Sequence, residues 1–526
     1  MRPGALAGNA ARRFLLGVCL MNAALVALRA WIGPYSLVVS PMNAESAFAV
    51  CALLALATLR GEAKGNPGAE FKPGAGGSWM LPVIAVIAVA AFLPVASMPL
   101  LYDDYSHADK ISRAGPGFWK AQIIAMQSGF FRPLGIYMYR LDSVWAGRNP
   151  FLWRADNLLL HGGNAVLLFL LARRVGLARW AAGFAALLFA WHGSRPEAVA
   201  WVAARFDLLA AGFVFAGLIL LFRYCDHPHP LVLCAAGAMC LCGLLSKEEA
   251  FVFPFLATAL VWRRLQGKVL GGFYALTAAV FVYRWRLLGG IGGYLNETGA
   301  PTILNLSAGR TAKALLLRLW AVLWFPIDWL AEPGAWLAIA TTVMLAAWLW
   351  LLYRRPTMHW PSLAFTFLAA LPVQHLLLIG PDLEKSRVLY LPAAGFALLA
   401  AFAVQSIGRA RMAALAAGLI LAFQLAALEH NLAIWKRVSA AGRAACQQAG
   451  WAIKETGRDA TVVNLPNLLD GVYFLRNGFP ECVEWNTGVP QSRVHVVDRL
   501  EDAAIKNRVV LRWDGSTFVP VPYPEN

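Results

Sequence analysis

Charge is what this sequence has little of. Only 14% of its 526 residues are Asp, Glu, Lys or Arg, against about 25% in a soluble domain. Hydrophobic residues make up 59% and the mean hydropathy is +0.57. That is too little polar surface for a water-soluble globule of this length, so most of the surface must meet lipid. Cysteine is also sparse, at eight residues. Six of them (Cys19, Cys51, Cys225, Cys234, Cys240 and Cys242) fall in or beside apolar segments, where a thiol acts as a small core residue. Cys240 and Cys242 form only a C-x-C within a helix, which is not a metal signature. An extracytoplasmic tail would allow the other two, Cys446 and Cys482, to pair. No 34-residue helical repeat is visible after about residue 440.

The formal charge is +17, yet a nucleic-acid partner is not expected. From Arg443 onward there are nine Lys/Arg and ten Asp/Glu, so the soluble-looking tail is near neutral. The basic excess sits between apolar runs, at Arg173-Arg174, Arg263-Arg264, Arg354-Arg355 and Arg409/Arg411. Basic clusters there mark cytoplasmic turns.

Apolar runs close to the ~20 residues that cross a bilayer recur along the chain. The expected fold is an all-α polytopic membrane bundle of about 13 transmembrane helices with a small extracytoplasmic α/β C-terminal domain. Residues 1–60 hold two additional N-terminal spans (14–32 and 45–60), and the Gly/Pro-rich residues 61–78 a cytoplasmic linker. The main module covers 79–432. It has a long external loop at 102–155 and spans near 79–101, 157–172, 179–193, 206–223, 231–246, 250–264, 269–288, 334–353, 360–379, 388–406 and 412–430. Arg318 and the Pro326/Asp328 ending favour a re-entrant or in-plane helix for 311–330. Residues 443–526 form the small domain. Strands are expected at 460–464, 472–475, 494–497, 508–512 and 517–521, the last two flanking a hairpin signal at Asp514-Gly515.

This topology puts four ionisable clusters on one face of the membrane, and ionisable groups at membrane boundaries are costly enough to suggest a site. They are Asp103-Asp104, His192 to Glu197 with Arg205 and Asp207, Ser246-Lys247-Glu248-Glu249, and Asp382 to Arg387. Adjacent carboxylates such as Asp103 and Asp104 raise each other's pKa when not otherwise neutralised, which suits a general base. Lys247, Arg205 and Arg387 suit a phosphate, Arg by bidentate contact. Ordinary structural roles compete with each assignment. Two acids after a span can simply begin a solvated loop, and Glu197 and Arg205, two helical turns apart, can pair. His161 shares a helix face with Asn157 and Asn164, the pattern of an interhelical hydrogen-bond network.

Six blocks in order between residues 101 and 393 carry a resemblance. They are Tyr102-Asp103-Asp104-Tyr105; Phe131-Arg132-Pro133-Leu134 with Asn149-Pro150 and Asp156-Asn157 to His161; Leu188 to Leu209; Leu245-Ser246-Lys247-Glu248; Trp324-Phe325-Pro326 with Asp328-Trp329; and Arg387 to Pro392. Together they resemble the GT-C superfamily of integral-membrane glycosyltransferases. Within it they resemble the protein O-mannosyltransferase-like group, which includes the transmembrane and tetratricopeptide-repeat mannosyltransferases.

The resemblance implies an inverting, mannosyltransferase-like transfer of a monosaccharide from a polyprenyl-phosphate donor to an acceptor hydroxyl. Asp103 or Asp104 would be the catalytic base, and Lys247, Arg205 and Arg387 would bind the donor phosphate. His192, Glu197, Glu248, Arg132 and His161 would shape the sugar and acceptor pocket. It commits the chain to no metal or other cofactor. Expected partners are membrane lipid, the lipid-linked sugar and an acceptor that is protein, glycan or lipid. The expected location is the inner membrane, with the site and the C-terminal domain on the periplasmic side. The missing repeats and the added N-terminal spans leave the acceptor open. A lipid-sugar carrier or flippase, or an envelope assembly subunit, would also have many spans and external charges. A carrier, however, should place ionisable or helix-breaking features at mid-membrane in paired halves.

Overall fold

The structure, a computed structural model, describes residues 79–115, 129–294, 302, 307–329, 339–344, 346–347, 356–499 and 508–521. The two expected N-terminal spans, the 61–78 linker and most of the 334–353 span lie outside these residues. The described part is an α-helical bundle with a small strand-containing C-terminal domain.

Among the described residues, three helical segments are long and apolar enough to cross a membrane: Pro150–Arg174, Val202–Asp226 and Ala410–Thr456. Met80–Ala90, Arg179–Ala190, Pro230–Leu244 and Pro392–Gln405 are shorter apolar helices. Several expected spans are therefore interrupted, and proline supplies the reason, since it lacks an N–H and its ring clashes with the preceding turn. The run 79–101 is helical only to Ala90, with Pro94 and Pro99 in the remainder. Pro356–Ala370 gives way at Leu371 to a 3₁₀ turn carrying Pro372. The run 250–264 starts as a 3₁₀ turn and becomes α-helical at Phe253-Pro254. The segment 311–330 contains a π-helical stretch, Lys313–Arg318, and its last helix ends at Trp324, just before Pro326.

The helix Pro392–Gln405 is apolar on every side and buried from Pro392 through Phe402, as a central helix must be. Arg179–Ala190, which packs against it, buries Ala181, Ala182, Gly183, Ala185 and Ala186. Small side chains there let helix backbones approach closely. Pro150–Arg174 begins within the stretch expected to be loop. Its start is set by Asn149, whose side chain accepts from Phe151 N at 3.0 Å, with Pro150 in the first turn.

Ala410–Thr456 is 47 residues long and runs without a break from the bundle into the C-terminal domain. That domain has a four-stranded sheet in the order β4-β1-β5-β6. β1 (Asp459–Val463) lies parallel to both β4 (Val494–Val497) and β5 (Arg508–Trp513), and β6 (Phe518–Pro520) is antiparallel to β5. The β5–β6 turn forms at the Asp514-Gly515 signal, where the Asp514 carboxylate accepts from Ser516 N and Thr517 N, each at 2.8 Å. A second hairpin, β2 (Leu468–Leu469) with β3 (Val472–Tyr473), turns through Asp470-Gly471. Both central residues have positive φ (48° and 72°), the requirement of a type I′ turn. Cys446 on the long helix and Cys482 on the helix Phe479–Thr487 form a disulfide.

Candidate active site

The acidic pair opens the helix Asp103–Ser112, where the helix dipole favours negative charge. The two carboxylates point to different environments. Asp104 is buried and accepts from Leu101 N at 3.1 Å and Ala203 N at 2.8 Å, tying its loop to the 200–204 segment. Burial pushes its carboxyl up to about 7, against the pull of Arg154 and the two backbone donors. The charge on Asp103 is the smallest contributor, so removal from water, rather than carboxylate pairing, dominates. Asp103 instead lines a cavity of about 570 Å³, a volume typical of small-ligand sites. The Asn477 amide donates to its Oδ1, and its backbone oxygen accepts from His107 Nδ1 at 2.7 Å.

The cavity also brings together Arg132, Lys247, Glu248 and Arg387. Arg387 is ion-paired with Glu197, donates to the Tyr294 hydroxyl at 3.1 Å, and lies over the rings of Trp201 (5.0 Å) and Tyr473 (5.6 Å). Glu197 sits behind it and also accepts from Arg387 N at 3.1 Å and Ser386 Oγ at 3.2 Å. Lys247 pairs with Asp207 and, at 3.0 Å, with Glu249. Burial favours loss of the Lys247 proton, but the two carboxylates outweigh it and keep the ammonium charged. Glu248 bridges Arg132 at 2.6 Å and Arg284 at 3.4 Å. Burial pushes the Glu248 carboxyl up, yet Arg132 and then Arg284 bring it below its ordinary value.

Five residues with expected site roles lie off the lining: Asp104, Arg205, Glu197, His192 and His161. Arg205 is buried in an ion pair with Asp142, donates from Nη2 to Trp153 O at 2.9 Å, and lies 4.4 Å from the Tyr139 ring centroid. It does not pair with Glu197. His192 donates from Nε2 to Leu323 O at 2.9 Å and bonds Ser194 Oγ through Nδ1 at 2.8 Å. His161 bonds Ala190 O at 3.1 Å and the Tyr390 hydroxyl at 2.8 Å. Asn164 reaches the same hydroxyl at 3.2 Å, and Asn157 donates to Val199 O and Trp201 O, so this helix face makes an interhelical network.

The lining also contains His107, Arg284, Tyr294, Tyr473 and Asn477, none of which sequence reasoning singled out. Arg284 had a usable signal, since it is an ionisable residue inside an apolar helix, Gly267–Leu288. Burial holds the His107 imidazole below its ordinary pKa, so it is neutral around pH 7. Tyr473 and Asn477 come from the C-terminal domain, and no local pattern marks them. Among the described residues, no group of three or more His, Cys, Asp or Glu side chains is arranged to hold a metal ion.

Chemically, the cavity offers one carboxylate outside the ion pairs, a set of fixed cations and aromatic walls. Its relatives bear on what that chemistry serves. The chain is 23% identical over 374 residues to the protein O-mannosyl-transferase TMTC4 of Mus musculus, covering 56% of this chain and 49% of that protein. It is 30% identical over 134 residues to the protein O-mannosyl-transferase Tmtc1 of Drosophila melanogaster, covering 25% and 16%. It is 40% identical over 108 residues to the protein O-mannosyl-transferase TMTC1 of Mus musculus, covering 20% and 11%. The chain is a distant homologue of the TMTC proteins. It spans half or less of the length of these TMTC relatives, and the likeness supports a GT-C-like glycosyltransferase class at the level of family alone. No family model matches the sequence.

Proposed function

We propose that this protein transfers a monosaccharide from a polyprenyl-phosphate donor to an acceptor hydroxyl, with inversion, at the periplasmic face of an inner membrane. The observation that carries the reading is that one cavity is lined by Asp103, Arg132, Lys247 and Arg387 together, in a chain homologous to TMTC proteins. Asp103 accepts the proton of the acceptor hydroxyl as its oxygen bonds to the anomeric carbon. The bond from that carbon to the phosphate oxygen breaks, and polyprenyl phosphate leaves with the electron pair. Attack from the face opposite the leaving group inverts the anomeric centre. Lys247 and Arg387 stabilise the charge that develops on the departing phosphate, while Arg132 and Glu248 contact the sugar. Asp104, Arg205, Glu197, His192 and His161 hold the loops that present these groups.

The test is purified protein in nanodiscs with a panel of polyprenyl-phosphate hexoses and pentoses, read as sugar release or transfer. Asp103→Asn should lower turnover by about 100- to 10,000-fold, the range for removing a general base, with folding unchanged. Lipid-sugar binding without turnover, with protein, glycan and lipid acceptors supplied, would overturn the enzyme reading in favour of a carrier.

A further inference from the structure

The C-terminal domain does not hang free of the cavity; it forms one of its walls. Tyr473 and Asn477 line the cavity together with Asp103 and Arg387. Tyr473 stacks on Trp201 at 5.2 Å with an interplanar angle of 27°, and its hydroxyl donates to Glu384 Oε1 at 2.9 Å. The Asn477 amide nitrogen faces Asp103 Oδ1, the orientation a carboxylate acceptor demands. Backbone contacts seat the same segment, since Tyr102 N donates to Phe474 O at 3.1 Å.

Two glycines show how close this docking is. Gly471 has φ +72°, and a Cβ there would fall 2.0 Å from Asp382 O. Gly478 has φ +89°, and a Cβ there would fall 2.5 Å from Tyr102 O. Only a residue without a side chain fits at either point. The domain therefore presses on two of the loops that carry the site, 101–104 and 382–387. The flanks are tied as well, by Arg113 to Glu484 at 3.0 Å and by the packing of Tyr105 on Trp485.

We infer that the C-terminal domain completes the active site, with Asn477 positioning the Asp103 carboxylate and Tyr473, stacked on Trp201, closing the aromatic wall that holds the Arg387 guanidinium. This rests on the glycosyl-transfer reading of the cavity. An amide donor on one oxygen fixes the plane of the carboxylate and directs the other oxygen toward an acceptor hydroxyl. Deleting the domain would thus remove donor hydrolysis and transfer alike, since it would strip a wall from the site.

The experiment uses the full chain with Asn477→Ala, Asn477→Gln and Gly478→Ala. Turnover of a polyprenyl-phosphate sugar is read beside carbodiimide labelling of Asp103, followed by mass spectrometry. Asn477→Ala should lower kcat by about tenfold or more with the donor KM and the melting temperature unchanged, because misorientation of a reacting group acts on the chemical step. Asn477→Gln, which keeps the donor, should recover part of that loss. Labelling of Asp103 should rise in Asn477→Ala, and Gly478→Ala should both raise labelling and lower turnover.

Wild-type turnover with Asn477→Ala at wild-type kcat would overturn the positioning role and leave the proposed function intact. A kcat loss that follows a lower melting temperature, with no recovery in Asn477→Gln, would reduce Asn477 to a structural residue and overturn the inference. No wild-type turnover of any donor would overturn the function and the positioning role together, and the labelling would still report whether the wall is docked.

Discussion

The bundle wall of the cavity and the wall supplied by the C-terminal domain satisfy their polar groups in different ways. On the bundle side the cations are neutralised nearby: Arg387 by Glu197, Lys247 by Asp207 and Glu249, Arg132 and Arg284 by Glu248. Charge buried this far from water must be paired, and removing one partner costs more than the pair contributes. On the domain side the polar groups that reach the cavity are neutral, Tyr473 and Asn477. The bundle thus holds a preset field, and the domain supplies shape and aim.

The sharpest way to break this contrast is to unpair the bundle side. Glu197→Gln leaves Arg387 buried beside a neutral amide, so stability should fall by about 3–5 kcal/mol, seen as a lower melting temperature in detergent. A melting temperature equal to that of the wild type would show that Arg387 reaches water, and that the field is not preset. A smaller effect should follow from loosening the domain. Cys446 and Cys482 close a loop with a sequence separation of 36 residues, and Cys446→Ser should cost the domain about 2–4 kcal/mol. Hydrogen exchange should then quicken in β1 and in Phe479–Thr487 while Pro392–Gln405 stays protected. Equal loosening in both places would mean that the two walls unfold as one unit.

The last effect lies at the seam, at Asp104, and is read in its pH dependence. Its folded carboxyl is raised to about 7 from an ordinary 3.8, chiefly by burial. The folded state therefore holds a proton that the unfolded state has released within that window. Its contribution to stability is complete below about pH 4, falls as pH rises to about 7, and is then constant. Asp104→Asn should flatten that part of the stability curve between pH 4 and 7. An unchanged slope would mean that Asp104 stays ionised in the fold and that the loop is held by charge.

Much of the bundle was legible because its signals are local. Apolar runs with basic turns mark helices, and Asn149-Pro150 marks a helix start inside 102–155, a stretch whose polarity predicts a loop. The strands of the C-terminal domain fall within a residue or two of where β-branched runs put them, as with Val494–Val497. The Asp470-Gly471 hairpin carries the same turn signal as Asp514-Gly515 but follows no clear strand run, so no local pattern marks its first strand. Pro94 and Pro372 fall within apolar runs whose hydropathy predicts continuous spans, yet each sits at the start of a 3₁₀ turn where the α-helix has given way.

In the site, ionisable clusters at helix ends pointed to Asp103, Lys247, Glu248 and Arg387, because the cost of such groups near a membrane makes them conspicuous one by one. Who pairs with whom was another matter. Glu197 looked eight residues along to Arg205, but its partner is Arg387, 190 positions away, while Arg205 goes to Asp142. The contact between Asn477 and Asp103 spans 374 positions.

The sequence alone determined the membrane character, the helix and strand types, and which charged residues gather at helix ends, since hydrophobic period and charge cost act over a few turns of chain. Only the tertiary structure decided that Asp104 faces inward and Asp103 the cavity, which carboxylate answers each cation, and that the C-terminal domain is a wall of the site. Those outcomes depend on how distant loops share buried space, and no local pattern encodes that.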